Sequence, residues 1–463
     1  MQRLTSRKPS DDRIFEPVQL GERDQFVPRS VIPSLHKREI GISRGSSFAP
    51  KTLATAGHRT LYQRDVKGHF GCVNSVEFST DESRVASGGD DLRILLWNVA
   101  DFQVNPTPEP IATMESRHTS NIFTISFSQH DDRIYSGGND AHFLIHDVAT
   151  TKRLRVHRLP GAINYIETNP IDDQIVLTAS DDSCVRLFDM RDQSSNGEIV
   201  IEPESGGTTY CAKFNPHQSN LVAVCSQSDN LEIYDVRKTD EPCCPTYPEL
   251  TNVMFVDWDE LGLGMVGIRS QNDPFFYNIL TGSFCEFESL TYRNTHTMKS
   301  CSYLTPGYLI TGSDNWDIFM WKIPSAKAVE EYYESRQDHL SVKQYTILKG
   351  HRSIVNHVRY SKTNDMIMSC GVEKIIKCWS AYGLAKGYRD PQRRRLVPPS
   401  HANSEPPDSV EEDLNMLAMF DNLSHNARIG LDSSSDSSSS DDDASMGGMG
   451  SLDSRTGSSS SSS

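Results

Sequence analysis

The chain has 463 residues, 36% of them hydrophobic, and a formal net charge of −16. Residues 1–58 contain ten basic and six acidic residues, and residues 386–463 contain seven basic and thirteen acidic residues. Residues 59–385 therefore carry a net charge of −14. No apolar run approaches the roughly 18 residues of a membrane span, and the N-terminus lacks the apolar core of a secretory signal. We therefore expect an intracellular protein, nuclear, cytoplasmic or both, whose acidic central domain does not bind nucleic acid directly unless it has a local basic patch.

Residues 1–58 mix arginine, proline and serine without sustained periodicity, which predicts a mostly disordered arm. Within this arm, residues 29–41 (RSVIPSLHKREIG) also fit a short helix, with Ser30 as N-cap and Pro33 tolerated in the first turn. The sequence leaves both interpretations open, a short helix and a disordered basic arm.

Residues 59–385 contain a pattern that recurs about every 40 residues. The clearest copies are ASGGDDLRILLWN at 86–98, YSGGNDAHFLIHDV at 135–148, TGSDNWDIFMWKI at 311–323 and SCGVEKIIKCWS at 369–380. A constant spacing of 28 residues separates the members of three pairs: His69 and Trp97, His118 and His146, His351 and Trp379. With weaker copies that end at Phe188, Tyr234 and Tyr277, the pattern predicts seven units.

The pattern resembles WD40 repeats. Gly-His pairs at 68–69 and 350–351 match the start of the family's repeat, and Trp97, Trp321 and Trp379 match its terminal tryptophan. The resemblance implies an all-β fold, a seven-bladed propeller over residues 59–385, with four strands per unit and the third ending at the tryptophan position. Because the last unit stops at Trp379, we expect residues 59–66 (RTLYQRDV) to close the ring beside that strand. Residues 324–347 interrupt the pattern, and we expect a local helix there.

In the WD40 family, an aspartate six residues before the tryptophan position holds the histidine of the repeat by a hydrogen bond. Asp91 has this spacing before Trp97, so the resemblance implies that His69, Asp91 and Trp97 form a structural network and not a catalytic pair. The same reasoning assigns structural roles to His118, Asp140, Asp182, His351 and Trp379. Other units depart from this pattern. The aspartate position is asparagine at 315, glutamate at 373 and serine at 228, and Leu159 stands near the histidine position. We expect incomplete networks in these units.

The ten cysteines include no Cys-x-x-Cys pair, and six of them fall in strand patterns, where a reduced thiol packs as a small apolar side chain. Neither a Gly-rich phosphate loop nor a His-Glu-x-x-His motif occurs. We predict no metal site, no cofactor and no catalytic residue, and an enzyme is the class of function that the sequence favours least.

Two consecutive units end alike, in Phe188-Asp189-Met190-Arg191 and Tyr234-Asp235-Val236-Arg237. Both endings resemble the WDxR motif of WD40 substrate receptors that dock on the adaptor of cullin-4 ubiquitin ligases, with an aromatic residue in place of tryptophan. The segments GHFGCVNSVEFS, LKGHRSIVNHVRY and LNMLAMFDNL are similar to the same family, the damage-specific-DNA-binding-protein-1 and cullin-4-associated factors. On the sequence alone, these arginines are equally consistent with strand-end residues paired to blade aspartates.

The resemblance implies that Asp189, Arg191, Asp235 and Arg237 contact the adaptor, where a guanidinium fork can pair with carboxylate or carbonyl groups. The implied partners are damage-specific DNA-binding protein 1, cullin-4 through that adaptor, and an unidentified protein substrate presented for ubiquitination. The alternative is a WD40 scaffold of another intracellular complex.

Residues 386–463 run from a basic, proline-containing stretch into an acidic, serine-rich end, which predicts a mostly disordered tail. Within the tail, residues 410–423 (VEEDLNMLAMFDNL) have helical spacing of apolar residues and acidic residues at their start. An aspartate follows three residues after each of Ser433, Ser438, Ser439 and Ser440, which suits an acidophilic kinase. An unmodified polar tail is the alternative.

Overall fold

The structure is a computed structural model that describes residues 61–380, apart from 116, 193–196, 204–205, 228–230, 244–249, 306, 326–327, 329–331 and 333–339, together with Leu384. Several sequence predictions lie outside these residues: the arm 1–58 with its segment 29–41, the tail 386–463 with its segment 410–423, and the serines Ser433, Ser438, Ser439 and Ser440.

The described residues form seven sheets, the blades of a β-propeller, which confirms the predicted fold. The first strand of the chain is β1 (Tyr62–Lys67). Blade 1 contains β2 (Val73–Phe78), β3 (Arg84–Gly89), β4 (Ile94–Asn98) and β5 (Ala112–Thr113), and blade 2 contains β6 (Ile122–Phe127), β7 (Arg133–Gly138), β8 (His142–Asp147) and β9 (Arg153–Arg158). Blade 3 contains β10 (Ile163–Thr168), β11 (Ile175–Ser180), β12 (Val185–Asp189) and β13 (Glu198–Ile201), and blade 4 contains β14 (Thr209–Phe214), β15 (Leu221–Ser226) and β16 (Glu232–Asp235).

The remaining three blades complete the ring. Blade 5 contains β17 (Val253–Trp258), β18 (Gly264–Arg269), β19 (Phe275–Asn278), β20 (Phe284–Glu288) and β24 (Leu340–Lys343). Blade 6 contains β21 (Cys301–Leu304), β22 (Tyr308–Gly312), β23 (Asp317–Lys322) and β25 (Thr346–Lys349), and blade 7 contains β26 (Val355–Ser361), β27 (Met366–Gly371), β28 (Ile375–Ser380) and β1.

Blade 7 is closed by the first described strand of the chain. β1 pairs antiparallel with β28, from Tyr62 opposite Ser380 to Lys67 opposite Ile375. The buried ammonium of Lys377 on β28 forms an ion pair with the buried carboxylate of Asp65 on β1. This is the ring closure expected for residues 59–66, and the strand extends one residue beyond that range.

The first strand of most blades carries a β-bulge near its start. In β2 the register shifts between Val73 and Ser75, so that Val73 and Val76 are both fully buried although they lie three residues apart. A regular strand would bring only alternate residues to one face, and one extra residue in a bulge changes that count. The bulge therefore explains the uneven apolar spacing at the start of the repeats. The same shift occurs in β6, β10, β14, β17 and β26.

Two segments depart from the repeat. Helix α1 (Val99–Val104) follows β4, and its N-cap Asn98 accepts a hydrogen bond from the backbone N–H of Ala100. In blade 5, β24 adds to β20 in parallel register, with Leu340 and Val342 buried at alternate positions. The helix predicted for residues 324–347 is therefore wrong in its last part, because these alternating apolar residues pack against the outer strand of blade 5.

Neighbouring blades are joined by amide side chains as well as by apolar packing. Asn74 donates to the carbonyl of Ile122 across blades 1 and 2 at 3.2 Å. Across blades 3 and 4, Asn164 donates to the carbonyl of Thr209 at 3.0 Å. These bonds fix the position of blade 1 relative to blade 2 and of blade 3 relative to blade 4, so the strand ends of blades 3 and 4 lie side by side.

Candidate functional site

The sequence-predicted docking residues lie in the turns that follow the third strands of blades 3 and 4. β12 ends at Asp189 and β16 ends at Asp235. Because neighbouring strands are antiparallel, the turns after the first and third strands of each blade lie at the same end of the propeller. We call this end the arginine face, after Arg191 and Arg237.

The two turns share the hydrogen bonds between the motif aspartate and its arginine, and Arg191 Nη2 lies in addition 3.4 Å from Asp172 Oδ2. Asp189 Oδ1 accepts from the backbone N–H of Arg191 at 2.9 Å and from its Nε at 2.8 Å, and Asp189 Oδ2 accepts from Nη2 at 2.8 Å. The corresponding distances between Asp235 and Arg237 are 3.0, 2.9 and 2.5 Å. The aspartate of each motif therefore binds its own arginine in a bidentate pair and orients the guanidinium.

The backbone holds both turns to the same blade. The N–H of Met190 donates to the carbonyl of Gln174 at 2.7 Å, and that of Val236 donates to the carbonyl of Asn220 at 2.8 Å. Since blade 2 makes the same bond from Val148 to Asp132, this turn belongs to the repeat and not to the motif alone. In blade 2, however, Ala149 takes the place of the arginine, so a repeat turn does not require an arginine at this position.

Both arginines are accessible to a partner. The side chain of Arg191 is 60% exposed and that of Arg237 is 72% exposed. Within the described residues, no hydrogen bond involves Nη1 of either guanidinium. The hydrogen bond from Arg191 lowers the pKa of Asp189, and that from Arg237 lowers the pKa of Asp235. Because exposed ion pairs contribute little to folding, these charges are available for binding at little cost in stability.

The aromatic residue before each aspartate is buried. Phe188 packs between Phe143 and His157 of blade 2, with ring centroids 4.9 and 5.2 Å away. Gly197, with φ of +84°, covers the ring so closely that an added Cβ would lie 2.5 Å from Phe188 Cζ. In blade 4 the Tyr234 hydroxyl instead donates to Glu232 at 2.7 Å.

The network of blade 1 has a fourth member that the sequence reasoning did not include. His69 Nδ1 lies 2.9 Å from Asp91 Oδ2, and His69 Nε2 lies 2.7 Å from Ser87 Oγ. The indole N–H of Trp97 donates to the same Ser87 hydroxyl at 2.8 Å. Ser87 could have been found from its constant spacing, because a serine stands ten residues before Trp97, His146 and Trp379 alike.

Blades 2 and 7 contain related networks. His118 lies 3.0 Å from Asp140 and 2.9 Å from Ser136. In blade 7, His351 lies 3.3 Å from Glu373 and 2.6 Å from Ser369, whose hydroxyl also accepts the indole N–H of Trp379 at 2.8 Å. The expectation of an incomplete network at position 373 is wrong, because the longer glutamate reaches the same histidine.

Asp182 of blade 3 has a different partner. The repeat has Leu159 in the place of histidine, and Arg186 Nη2 binds the Asp182 carboxylate at 2.6 Å. Ser180 also donates to that carboxylate. The aspartate position is therefore used in blade 3 as well, with a cation from the third strand in place of the histidine.

Asp91 provides a direct test of the network's contribution to stability. The hydrogen bonds and charge of His69 and Arg93 outweigh burial and hold the pKa of Asp91 well below its usual value. Replacing Asp91 by alanine should cost about 1 to 3 kcal/mol, because the buried donors that face it lose their acceptor. Thermal unfolding of Asp91→Ala beside the exposed control Asp240→Ala measures this effect. Equal melting temperatures for the two variants would contradict it.

The first strands of the blades line a cavity of about 440 Å³ on the propeller axis. Two ion pairs lie among its lining residues: Arg359 with Glu77 at 2.6 Å and Lys213 with Asp257 at 2.8 Å. These two ion pairs join the first strands of neighbouring blades, blade 7 with blade 1 and blade 4 with blade 5.

Asp365, in the turn after the first strand of blade 7, predicts a pH effect on stability. Burial raises the pKa of this carboxyl from its usual value of 3.8 to about 8. The folded state therefore binds the extra proton, and stability falls as the pH rises between these values. Asp365→Asn, which also tolerates the local φ of 49°, should raise the melting temperature more at about pH 8.5 than at about pH 5. Thermal unfolding at both pH values measures this difference, and an equal shift would contradict the raised pKa.

Within the part of the chain that the structure describes, no group of three or more His, Cys, Asp or Glu side chains could hold a metal ion. No helix of that part is long and apolar enough to cross a membrane. The described cysteines are free thiols; Cys243 is exposed and the others are buried.

Comparison with known proteins agrees with the repeat pattern. The family model described as "WD domain, G-beta repeat" matches residues 59–98, 108–147 and 342–380. Together with the seven blades, this match shows that the chain is a WD40-repeat β-propeller protein. It is 32% identical over 82% of its length to DDB1- and CUL4-associated factor 5 of Mus musculus and 31% identical to that protein of Homo sapiens. The chain covers 42% of the length of each of these relatives.

Two further similarities are more limited. The chain is 28% identical to WD and tetratricopeptide repeats protein 1 of Homo sapiens over 38% of this chain and 26% of the relative. A chain in the crystal structure of the mitotic checkpoint complex superposes with a TM-score of 0.55 at 13% identity, covering 69% of this chain and 91% of that one. At this identity the second similarity supports the fold alone.

Proposed function

We propose that the chain is a substrate-recognition subunit of a cullin-4 RING ubiquitin ligase. In this proposal it docks on damage-specific DNA-binding protein 1 through Arg191 and Arg237, reaches cullin-4 through that adaptor, and presents a protein substrate for ubiquitination. The proposal places it inside the cell, in the nucleus, the cytoplasm or both. Its role is binding and not catalysis.

One observation carries the proposal: two consecutive blades present an exposed, pre-oriented arginine on the same face. A guanidinium held by its own aspartate loses little conformational freedom on binding, so more of its interaction energy appears as affinity. Arginine is enriched in the energetically dominant part of protein interfaces. The similarity to DDB1- and CUL4-associated factor 5 supports the identity of the partner.

The acidic propeller supports a protein partner over a nucleic acid. Its net charge repels phosphate backbones, whereas the arginines of the arginine face can each bind a carboxylate or a carbonyl of a protein. The opposite face, formed by the turns between second and third strands, stays free for a substrate when the arginine face is occupied.

Co-purification tests the proposal. The tagged full chain, expressed in cells, should retain the cullin-4 adaptor and cullin-4, and the purified adaptor should form a complex with the purified chain. A folded chain that retains neither protein would contradict the proposal and support the alternative, a WD40 scaffold of another complex.

A further inference from the structure

Arg155 connects the outer strand of blade 2 to the turn that carries Arg191. Its Nη1 donates to the backbone carbonyl of Asp192 at 3.1 Å, and its Nη2 donates to the carbonyl of Met190 at 3.2 Å. These two carbonyls belong to the residues on either side of Arg191. One planar guanidinium therefore binds both sides of the position from which the docking side chain leaves the backbone.

The same face of β9 also supports the start of the turn. His157 lies two residues after Arg155, so both side chains are on one face of the strand. His157 is buried, and its ring centroid lies 5.2 Å from that of Phe188, the aromatic residue directly before Asp189. Blade 2 thus packs on the residue before the motif aspartate and hydrogen-bonds to the residues around the arginine.

The turn of Arg237 is held differently. Asn220 of the same blade donates to Asp235 Oδ2 at 3.0 Å. The outer strand of the preceding blade, β13, has the sequence EIVI and contains no arginine. The two motifs therefore share their internal hydrogen bonds, but among the residues that the structure describes only the turn of Arg191 is bound by a guanidinium from the preceding blade.

We propose that Arg155 is a positioning residue for Arg191. It holds the turn 190–192 in the conformation that the adaptor binds, and it acts through Arg191 and not by its own contact with the adaptor. This inference rests on the proposed function. Its physical basis is preorganisation: a turn fixed before binding loses less conformational entropy when the complex forms.

Arg155→Ala should weaken binding of the purified adaptor roughly three- to tenfold, which lies in the lower part of the range of coupling energies between residues of one hydrogen-bonded network. Arg153→Ala is the matched control, because Arg153 lies on the same strand with the same charge and is exposed. It should bind like the parent chain. Arg155→Lys should give an intermediate affinity, since an ammonium cannot bind two carbonyls in the fork geometry.

A double-mutant cycle separates positioning from direct contact. In the Arg191→Ala background, Arg155→Ala should have no further effect, whereas in the Arg237→Ala background it should keep its full effect. Equal effects in both backgrounds would overturn the inference, because they would show that Arg155 acts independently of Arg191. If Arg155→Ala does not fold, as judged by thermal unfolding, the same cycle is carried out with Arg155→Lys.

The outcomes distinguish this inference from the proposed function. If Arg191→Ala and Arg237→Ala bind the adaptor like the parent chain, the proposed docking site is wrong. If those variants lose binding and Arg155→Ala binds like Arg153→Ala, only the positioning role is wrong.

Discussion

Replacing both Arg191 and Arg237 by alanine should leave a folded propeller that no longer binds the cullin-4 adaptor. Truncation of an arginine at the centre of an interface typically weakens binding about 30-fold or more, so loss of both should weaken it roughly a thousandfold if the effects add. Folding should change little, because both side chains are exposed and their ion pairs lie at the surface. Titration of the purified adaptor, with thermal unfolding of the same samples, measures both effects.

The matched control is Arg117→Ala with Arg293→Ala. It removes the same charge from two exposed arginines, each in a segment that leads from the last strand of one blade to the first strand of the next. These segments lie at the end opposite to the arginine face. The control variant should bind the adaptor like the parent chain; a loss of binding equal to that of the test variant would show that net charge, and not the motif, determines affinity.

Breaking the ion pair that closes the ring should be the most destabilising of the proposed changes. Asp65→Ala leaves the ammonium of Lys377, whose side chain is 5% exposed, without its partner in the pairing of β1 with β28. Loss of one member of a buried ion pair typically costs about 3 to 5 kcal/mol, because the remaining charge stays buried. Thermal and denaturant unfolding of the full chain would measure this loss of stability.

The double variant Asp65→Ala, Lys377→Met tests the cause of that loss. Without the buried charge, most of the stability should return, since apolar replacement of a whole buried pair is often nearly neutral. If Asp65→Ala unfolds at the same temperature as the parent chain, β1 does not close the ring through this pair. If the double variant is as unstable as the single one, the loss comes from packing and not from charge.

The periodic part of the fold could be predicted from sequence because the blades repeat the same kinds of residues at the same spacing. The 28-residue spacing between His69 and Trp97 reflects a bonded network, so it marks the blade directly. Ring closure was predictable by elimination, because the last unit lacked its fourth strand. The register of the first strands was not, since a bulge between Val73 and Ser75 changes which residues face the core without changing the repeat length.

Contacts between different blades were the part of the candidate site that sequence could not provide. The two motifs that contain Arg191 and Arg237 could be recognised in the sequence, and in the structure each guanidinium donates a hydrogen bond to the aspartate of its own motif. Arg155 lies 36 positions before Arg191, in an outer strand whose sequence varies from blade to blade. No pattern in the sequence near either residue therefore indicates that Arg155 binds the turn of Arg191. Likewise, Glu373 was recognisable as a histidine partner only once its distance to His351 was known.

The central claim is that the arginine face is the surface that meets the cullin-4 adaptor, and hydrogen exchange of the full chain with and without the purified adaptor tests it most directly. The account predicts slower amide exchange on binding in the turns of blades 3 and 4 on that face, residues 170–174, 190–192, 216–220 and 236–238. The turns between second and third strands at the opposite end, residues 90–93 and 139–142, should exchange at unchanged rates. Protection of those opposite turns, with no change around Arg191 and Arg237, would contradict the account.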